Sequence, residues 1–232
     1  MNRVSCVLVL LLAACSGSNN ANVALGARAG ATASTAASAT NQQAQPLQAC
    51  DGIVMSRVRM VLSEVKLEGP SSSDAGTGDE VEFKSAPMLL DLSGTTLDSG
   101  TTQQVTVADV PPGTYREIRF KIHKLSQGEA GSDAGLQAMG ANSIIVDYTR
   151  NGGPQLTFVT DVDAQQKLQG TFDLAEGSHT LTLNVDASTW FTKGTACLDP
   201  ATAGNLSDIN NNIQNSLKAF RDDDRDGHDD HR

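Results

Sequence analysis

The feature that most constrains the fold is a series of short segments in which apolar and polar residues alternate. In the clearest segment, residues 118–123, isoleucine or phenylalanine alternates with arginine, lysine or histidine, which is typical of a strand with one buried and one solvated face. The others are residues 53–67, 88–92, 105–110, 143–148, 156–162, 167–174 and 180–185. Turn signals such as Pro111-Pro112-Gly113 separate them, so the sequence predicts a mainly β fold, an antiparallel β-sandwich of about seven to nine strands.

Two details of this region lead to further expectations. In the first long segment the apolar positions change parity after Leu62, to Val65 and Leu67, which predicts a β-bulge near Leu62 and Ser63. Residues 71–80 and 128–135 both contain Ser-Asp-Ala-Gly. We expect these two stretches to be mobile hairpin extensions, and a shared acidic binding rim is the alternative.

The apolar period becomes helical near the C-terminus. Ile209, Ile213, Leu217 and Phe220 follow one another at the spacing of a helix face. Asn205 and Ser207 are candidate N-caps. The sequence predicts one helix within residues 201–221, packed on the sandwich or covering an edge.

The N-terminus has the features of an export signal. Arg3 is followed by a mainly apolar run at residues 4–12 and then by Leu12-Ala13-Ala14-Cys15. The run is shorter than the roughly 20 apolar residues of a membrane span. Leu-Ala-Ala-Cys resembles the lipobox of bacterial lipoproteins. The resemblance implies a signal peptide at residues 1–14 and lipid attached to Cys15, and Ser16 favours the outer membrane, facing the periplasm or the cell surface. An ordinary signal peptide is the alternative.

The other cysteines fit an exported chain. Of four cysteines, Cys6 lies in the signal peptide and Cys15 is the lipidation residue, which leaves Cys50 and Cys197. In an oxidising compartment these two are expected to form a disulfide that closes the domain, with two buried free thiols as the alternative.

Composition divides the mature chain into segments. Residues 15–48 are low in complexity and nearly uncharged, so we expect a disordered tether that reaches roughly 30 Å. The β domain is expected at residues 49–200, the helix at 201–221 and an acidic tail at 222–232.

The tail has the spacing of a calcium loop. Its aspartates alternate, and Gly227 permits a sharp turn between them. This pattern resembles thrombospondin type 3 repeats and the start of an EF-hand, although the final EF-hand ligand would lie beyond the end of the chain. We predict weak calcium binding; a solvated acidic tail, or a transition-metal site at His228 and His231, are the alternatives. The predicted ligands are Asp222, Asp224, Asp226 and Asp230.

The domain itself resembles a family of unknown function found in bacterial surface lipoproteins. The resemblance rests on Ser56-Arg57-Val58, on residues 88–92 and on Pro112-Gly113-Thr114-Tyr115 leading into Ile118-Arg119-Phe120. It implies a transthyretin-like or immunoglobulin-like sandwich and no established activity.

Charge and motifs limit the function classes. A net charge of −10 argues against nucleic-acid binding. We therefore expect a non-enzymatic binding or structural module with an envelope or extracellular partner. A carbohydrate-binding or adhesin-like module is the first alternative and would need Trp190, Tyr115 or Tyr148 exposed. A hydrolase is the second alternative, and would need a cleft that joins scattered side chains such as His123, His179, Asp161 and Asp163.

Overall fold

The computed structural model describes residues 21–29, 47–50, 52–69, 82–98, 103–106, 110–174 and 177–221. These ranges form two β-sheets that share one hydrophobic core, with a small hairpin and short helices around them. The prediction of a mainly β, sandwich-like fold with one main helix near the C-terminus is confirmed. The helices of the described ranges are all too short or too polar to cross a bilayer.

The elements follow one another in chain order. The strands are β1 (Ala21–Ala29), β2 (Leu47–Cys50), β3 (Ile53–Glu68), β4 (Glu82–Lys84), β5 (Met88–Ser93), β6 (Gln103–Thr106), β7 (Gly113–Ile122), β8 (Ile144–Arg150), β9 (Gln155–Thr160), β10 (Ala164–Leu174), β11 (Gly177–Val185), β12 (Thr192–Lys193), β13 (Ala196–Cys197) and β14 (Leu217–Arg221). The α-helices are α1 (Thr95–Asp98), α2 (Ala134–Met139) and α3 (Leu206–Ser216), and 3₁₀ turns occupy Ala187–Thr189 and Ala203–Asn205. The short strands β2, β4, β12 and β13 are ones that the alternation did not predict.

The larger sheet is built around β3. Its strand order is β10-β7-β3-β8-β9, and β2, β4 and β5 also pair with β3. The register of β3 against β7 shifts between Leu62 and Glu64, so the predicted bulge is confirmed. The bulge turns Val65 and Leu67 back toward the core, where both are buried.

The smaller sheet has the order β14-β11-β1-β6. Strand β1 lies in the segment that composition predicts to be a disordered tether, and the structure differs from that expectation. Ala21 pairs with Gly177 and Ala29 with Val185, so β1 runs parallel to β11, while β6 pairs antiparallel with β1. Val23 and Ala27 enter the common core. Strand β1 is therefore ordered by its two neighbours, β11 and β6. They supply backbone hydrogen bonds and buried surface, which the small residues of β1 do not provide by themselves.

Strand β11 is buried on both faces. Leu181, Leu183 and Val185 belong to the core, as their alternation indicates. The intervening polar residues, which the same alternation would leave solvated, are also buried, with Asn184 only 2% exposed. Local sequence does not reveal this because residues from α3 and β14, distant along the chain, lie beside Asn184 at this strand end. The buried polar set is Thr180, Thr182 and Asn184.

The C-terminal segment is a helix followed by a strand. Helix α3 ends at Ser216, and β14 then pairs antiparallel with β11. The predicted helix is therefore too long: Ile209 and Ile213 are on its buried face, whereas Leu217 and Phe220 are on a strand. Pairing with the edge of β11 outweighs the helical spacing of these apolar residues.

Residues 128–135 do not form the expected mobile extension. Asp133 caps helix α2 by accepting a hydrogen bond from the backbone N–H of Leu136. Leu136 and Met139 then pack on Val61 and Ile145, away from the main core. This apolar contact fixes the stretch against the outer face of the larger sheet. The companion stretch, residues 71–80, lies outside the described residues.

Candidate functional site

The three aromatic residues predicted as ligand contacts are structural. Trp190, Tyr115 and Tyr148 are 0%, 1% and 2% exposed, so none of them has the exposure that the carbohydrate-binding alternative requires. The Tyr115 hydroxyl donates to the carbonyl of Pro111 at 2.6 Å, and burial raises the pKa of that hydroxyl. The Trp190 Nε1 donates to the Ser216 Oγ at 2.7 Å. Tyr148 packs against Phe191, with ring centroids 5.9 Å apart.

The predicted disulfide is present. Cys50 at the end of β2 is bonded to Cys197 in β13, and their Cα atoms are 5.8 Å apart. The bond joins two positions 147 residues apart in the sequence. It therefore links the beginning of the domain to the segment that precedes α3.

The predicted lipid and calcium sites lie outside the described residues. This applies to Cys15 and to the aspartates of the tail. Within the described ranges, no group of three or more His, Cys, Asp or Glu side chains has a metal-binding arrangement.

The histidine and aspartate candidates are only partly brought together. The Nδ1 of His123 is 3.3 Å from the Oδ2 of Asp163. Asp161 instead pairs with Lys124, whose Nζ is 2.8 Å away. The two aspartates therefore have different partners. His179 lies on β11.

A charged cleft of about 460 Å³ lies at the bulge of β3. Opposite charges face each other in it, with Lys84 Nζ 2.6 Å from Glu64 Oε2. His123 lies on the lining beside Ser126. The other lining residues are Ser63, Ser85, Pro87, Lys121 and Glu129.

A second depression, the amide cavity, has a volume of about 290 Å³. It lies where the C-terminal ends of β11 and α3 meet the 3₁₀ turn before Trp190. Its lining contains polar residues only: Asn184, Asp186, Thr189, Asn212, Asn215, Ser216 and Lys218.

Hydrogen bonds hold the walls of the amide cavity. The amide nitrogen of Asn212 donates to the carbonyls of Trp190 and Thr192 at 3.0 and 2.6 Å, which ties α3 to the turn. Ser216 Oγ accepts from Trp190 and donates to the carbonyl of Ile213 at 2.7 Å. These contacts fix the positions of Asn212 and Ser216 in the lining.

Asn184 also lines the amide cavity, and its side-chain oxygen is the exception to this pattern. Its Oδ1 is buried and accepts no hydrogen bond from the described residues. Thr189, Asn215 and Lys218, which also line the cavity, are exposed. Buried polar atoms in proteins normally have a partner, so this oxygen is an unmet acceptor within the described fold.

Sequence reasoning missed the amide cavity. One local signal was present: the run Asn210-Asn211-Asn212 and then Asn215 in a helix, where asparagine is a weak helix former. The juxtaposition with Asn184 depends on the pairing of β14 with β11, which no local pattern indicates.

The parallel pairing of β1 with β11 determines where the cavity lies relative to the N-terminus. Ala21 is opposite Gly177, at the start of β11. The cavity residues Asn184 and Asp186 are at the other end of this strand. With nine residues in β11 and a rise of roughly 3.3 Å per residue, the two ends are about 27 Å apart.

Comparison with known proteins identifies a family. No curated protein and no solved structure shows a significant match to this chain. The profile of a family described as a domain of unknown function (DUF4382) matches residues 49–197. That range covers more than half of the chain and runs from the start of the disulfide-closed domain to Cys197. The chain therefore belongs to the DUF4382 family.

Proposed function

We propose that this protein is a lipid-anchored, non-enzymatic binding module of the bacterial cell envelope. In this proposal the mature chain begins at Cys15, whose lipid inserts into the outer membrane, and the sandwich binds its partner in the periplasm or at the cell surface. The observation that carries the proposal is the disulfide between Cys50 and Cys197, since such bonds persist in exported proteins.

The position of β1 determines which end of the domain would lie near the membrane. Cys15 precedes Ala21 by only a few residues, so the lipid and the folded domain are separated by at most about 20 Å of extended chain. The start of β11 would then be close to the membrane, and the amide cavity would be at the distal end. In this orientation of the domain, the lipid can insert into the membrane while the amide cavity lies at the end away from it.

The anchor is tested by labelling with radioactive palmitate in a Gram-negative host that expresses the full chain. We expect label on the wild type and on the control variant Cys6→Ala, because Cys6 lies in the predicted signal peptide. We expect no label on Cys15→Ala. Equal labelling of Cys15→Ala, or an unlabelled wild type, would contradict lipidation at Cys15.

Calcium binding by the acidic tail is the second component of the proposal. It is supported by the alternation of the aspartates and by their position directly after β14, through which a bound ion would stabilise the edge of the smaller sheet. The four proposed ligands are Asp222, Asp224, Asp226 and Asp230.

Calorimetric titration of calcium into the full chain, and into a variant that ends at Arg221, tests the tail. We expect weak binding, with Kd of roughly 10⁻⁴–10⁻³ M, that the shortened variant loses. Equal heats in the two proteins would show that the tail does not bind the ion.

A hydrolase is the second candidate, and one juxtaposition favours it. His123 and Ser126 both line the charged cleft, and the Nδ1 of His123 is 3.3 Å from Asp163 Oδ2 without a hydrogen bond; Ser, His and Asp are the side chains of nucleophilic hydrolysis. Hydrolysis of nitrophenyl esters by the wild type, lost in both His123→Ala and Ser126→Ala, would favour this candidate. The same rate in the wild type and both variants would remove it.

A further inference from the structure

We propose that strand β9 is an interface between two copies of the chain, which join their larger sheets by antiparallel pairing of β9 with β9. The proposal does not depend on the lipid anchor or on the acidic tail. Strand β9 ends the order β10-β7-β3-β8-β9, and among the described residues it pairs with β8 alone. Within that part of the chain, its second side presents backbone N–H and C=O groups to a further strand.

The four strands that end the two sheet orders differ in their protection against such pairing. Strand β10 carries Lys167 and Asp173, and its register against β7 shifts within the strand. Strand β14 carries Lys218 and Arg221, and β6 has only four residues. Charge, irregularity and short length are the features that prevent association at sheet edges. Strand β9 lacks these features, because its six residues are uncharged and pair with β8 in an unbroken register.

Strand β9 also presents apolar side chains to solvent. The described ranges expose three large apolar side chains, Leu156, Val159 and Leu206, which are 38%, 48% and 41% exposed. The first two lie on β9. Leu206 begins α3, which contacts the end of β9 through a hydrogen bond of 2.8 Å from Thr160 Oγ1 to Asn210 Oδ1. Because residues four apart share a helix face, Leu206 is on the side of α3 that makes this contact.

A strand added beside β9 would cover apolar side chains on both faces of the larger sheet. Directly opposed residues of neighbouring strands share a face. Val159 is opposite Ile145, which packs with helix α2 on the outer face. Leu156 is opposite Tyr148, whose ring belongs to the common core. The edge of β9 therefore offers apolar contacts on each face in addition to its backbone hydrogen bonds.

The charges at this edge favour a second copy as the occupant. Two copies that pair edge to edge are related by a two-fold axis, so the middle of β9 faces itself. Thr157 then lies beside its own copy, and cross-strand threonine pairs are favourable whereas like charges are not. The exposed Asp161 and Asp163 follow β9. In the antiparallel pair they lie beside residues 151–154 of the other copy, an uncharged Asn-Gly-Gly-Pro sequence.

Disulfide cross-linking of the purified full-length chain tests the position of the interface. Thr157→Cys introduces a thiol at the middle of β9, and the control Thr171→Cys introduces one at an exposed threonine of β10. The oxidised wild type gives the background from the native cysteines. We expect about tenfold more dimer on non-reducing electrophoresis for Thr157→Cys than for Thr171→Cys, because only cysteines that approach closely form a disulfide.

Sedimentation equilibrium of the full-length chain tests association without a cross-link. We expect a reversible dimer whose dissociation constant rises by about tenfold or more in Val159→Lys, because a lysine on an edge strand opposes pairing. Gln165→Lys places the same charge at an exposed position of β10 and should keep the wild-type constant. Both positions are exposed, so both variants should fold.

Either of two results overturns the proposal. A monomeric wild type, with no more dimer in Thr157→Cys than in Thr171→Cys, would show that the copies do not meet at β9. Protection of the Thr157→Cys thiol from a maleimide reagent in that monomer would mean that another segment of the same chain covers the strand. A dimer whose dissociation constant is unchanged in Val159→Lys would place the contact elsewhere on the molecule.

Discussion

Individual buried side chains join the helix α3 to the sandwich. The Trp190 indole is fully buried and donates to Ser216 Oγ, which in turn donates to the carbonyl of Ile213. A side chain with this role is unavailable to a ligand, which explains why the ring belongs to the fold rather than to a binding surface. Tyr115 acts similarly on the turn before β7, through the carbonyl of Pro111.

Ser216→Ala tests the bond between the helix and the indole. The variant leaves the buried N–H of Trp190 without an acceptor, which should lower the free energy of unfolding by about 1–3 kcal/mol. Urea unfolding followed by fluorescence measures this loss, since Trp190 is the only tryptophan. The control is Ser207→Ala, an exposed position on the same helix. Equal stability of the two variants would contradict a structural role for the bond.

The sequence predicted the chemistry of single residues better than their location. Cys50 and Cys197 were paired correctly, because only two cysteines remain after the signal and lipidation residues are assigned. The burial of Trp190 and Tyr148 was not predicted, because an aromatic residue near a turn has the same local pattern whether it points outward or inward. Asn184 was overlooked because its burial is caused by elements distant in sequence.

At the scale of elements, a network of ion pairs covers part of the outer face of the larger sheet. Arg119 contacts Glu117 at 2.6 Å and Glu68 at 3.2 Å, and Lys167 contacts Glu117 at 3.3 Å. These residues come from β7, β3 and β10, so the network connects three neighbouring strands. Burial tends to raise the pKa of Glu117, but hydrogen bonds from Arg119, Lys167 and Gln169 outweigh it and the pKa is lowered.

The lowered pKa of Glu117 predicts how stability depends on pH. A carboxylate whose pKa is lower in the folded state stabilises the fold fully above its unfolded pKa, about 4.3 for glutamate. That contribution is lost as pH falls through the lower folded value. The hydrogen bond from Lys66 likewise lowers the pKa of Glu68, and the two groups should add to the same loss.

Glu117→Gln is the variant that tests this dependence. It should be less stable than the wild type at neutral pH and should lose less stability between pH 5 and acid pH, because it lacks one group that binds a proton on unfolding. Urea unfolding over this pH range gives the comparison, with the exposed Glu129→Gln as control. An unchanged pH dependence in Glu117→Gln would show that Glu117 does not contribute.

Elements with a local sequence pattern were predicted, whereas elements ordered by partners distant in the sequence were not. The alternation in β7 and the parity change at Leu62 are local, so the strand and the bulge were both predicted. Strand β1 was not predicted, because small residues such as Ala27 carry no strand signal and become ordered by pairing with β11 and β6. Leu217 and Phe220 fit a helix spacing, yet the open edge of β11 takes them into a strand.

For the whole molecule, the disulfide is the single covalent link across the described fold. It closes a loop of 147 residues between Cys50 and Cys197. Such a bond restricts the unfolded chain more than the folded one. The folded domain should therefore persist on reduction, but with less stability.

Reduction of the disulfide tests whether the bond stabilises the folded domain. Dithiothreitol should lower the free energy of unfolding of the wild type by about 2–5 kcal/mol. The double variant Cys50→Ser, Cys197→Ser should have the stability of the reduced protein and should not respond to reductant. Identical unfolding curves for the wild type with and without reductant would contradict a stabilising bond.

We propose that the disulfide-closed DUF4382 domain is held at the cell envelope by lipid on Cys15. The most direct measurement is mass spectrometry of the protein purified from bacterial membranes and digested without reduction. We predict an N-terminal peptide that begins at Cys15 and carries the mass of attached acyl chains, together with a Cys50–Cys197 linked peptide. An unmodified peptide beginning at Cys15, or one that continues upstream of it, would contradict the account.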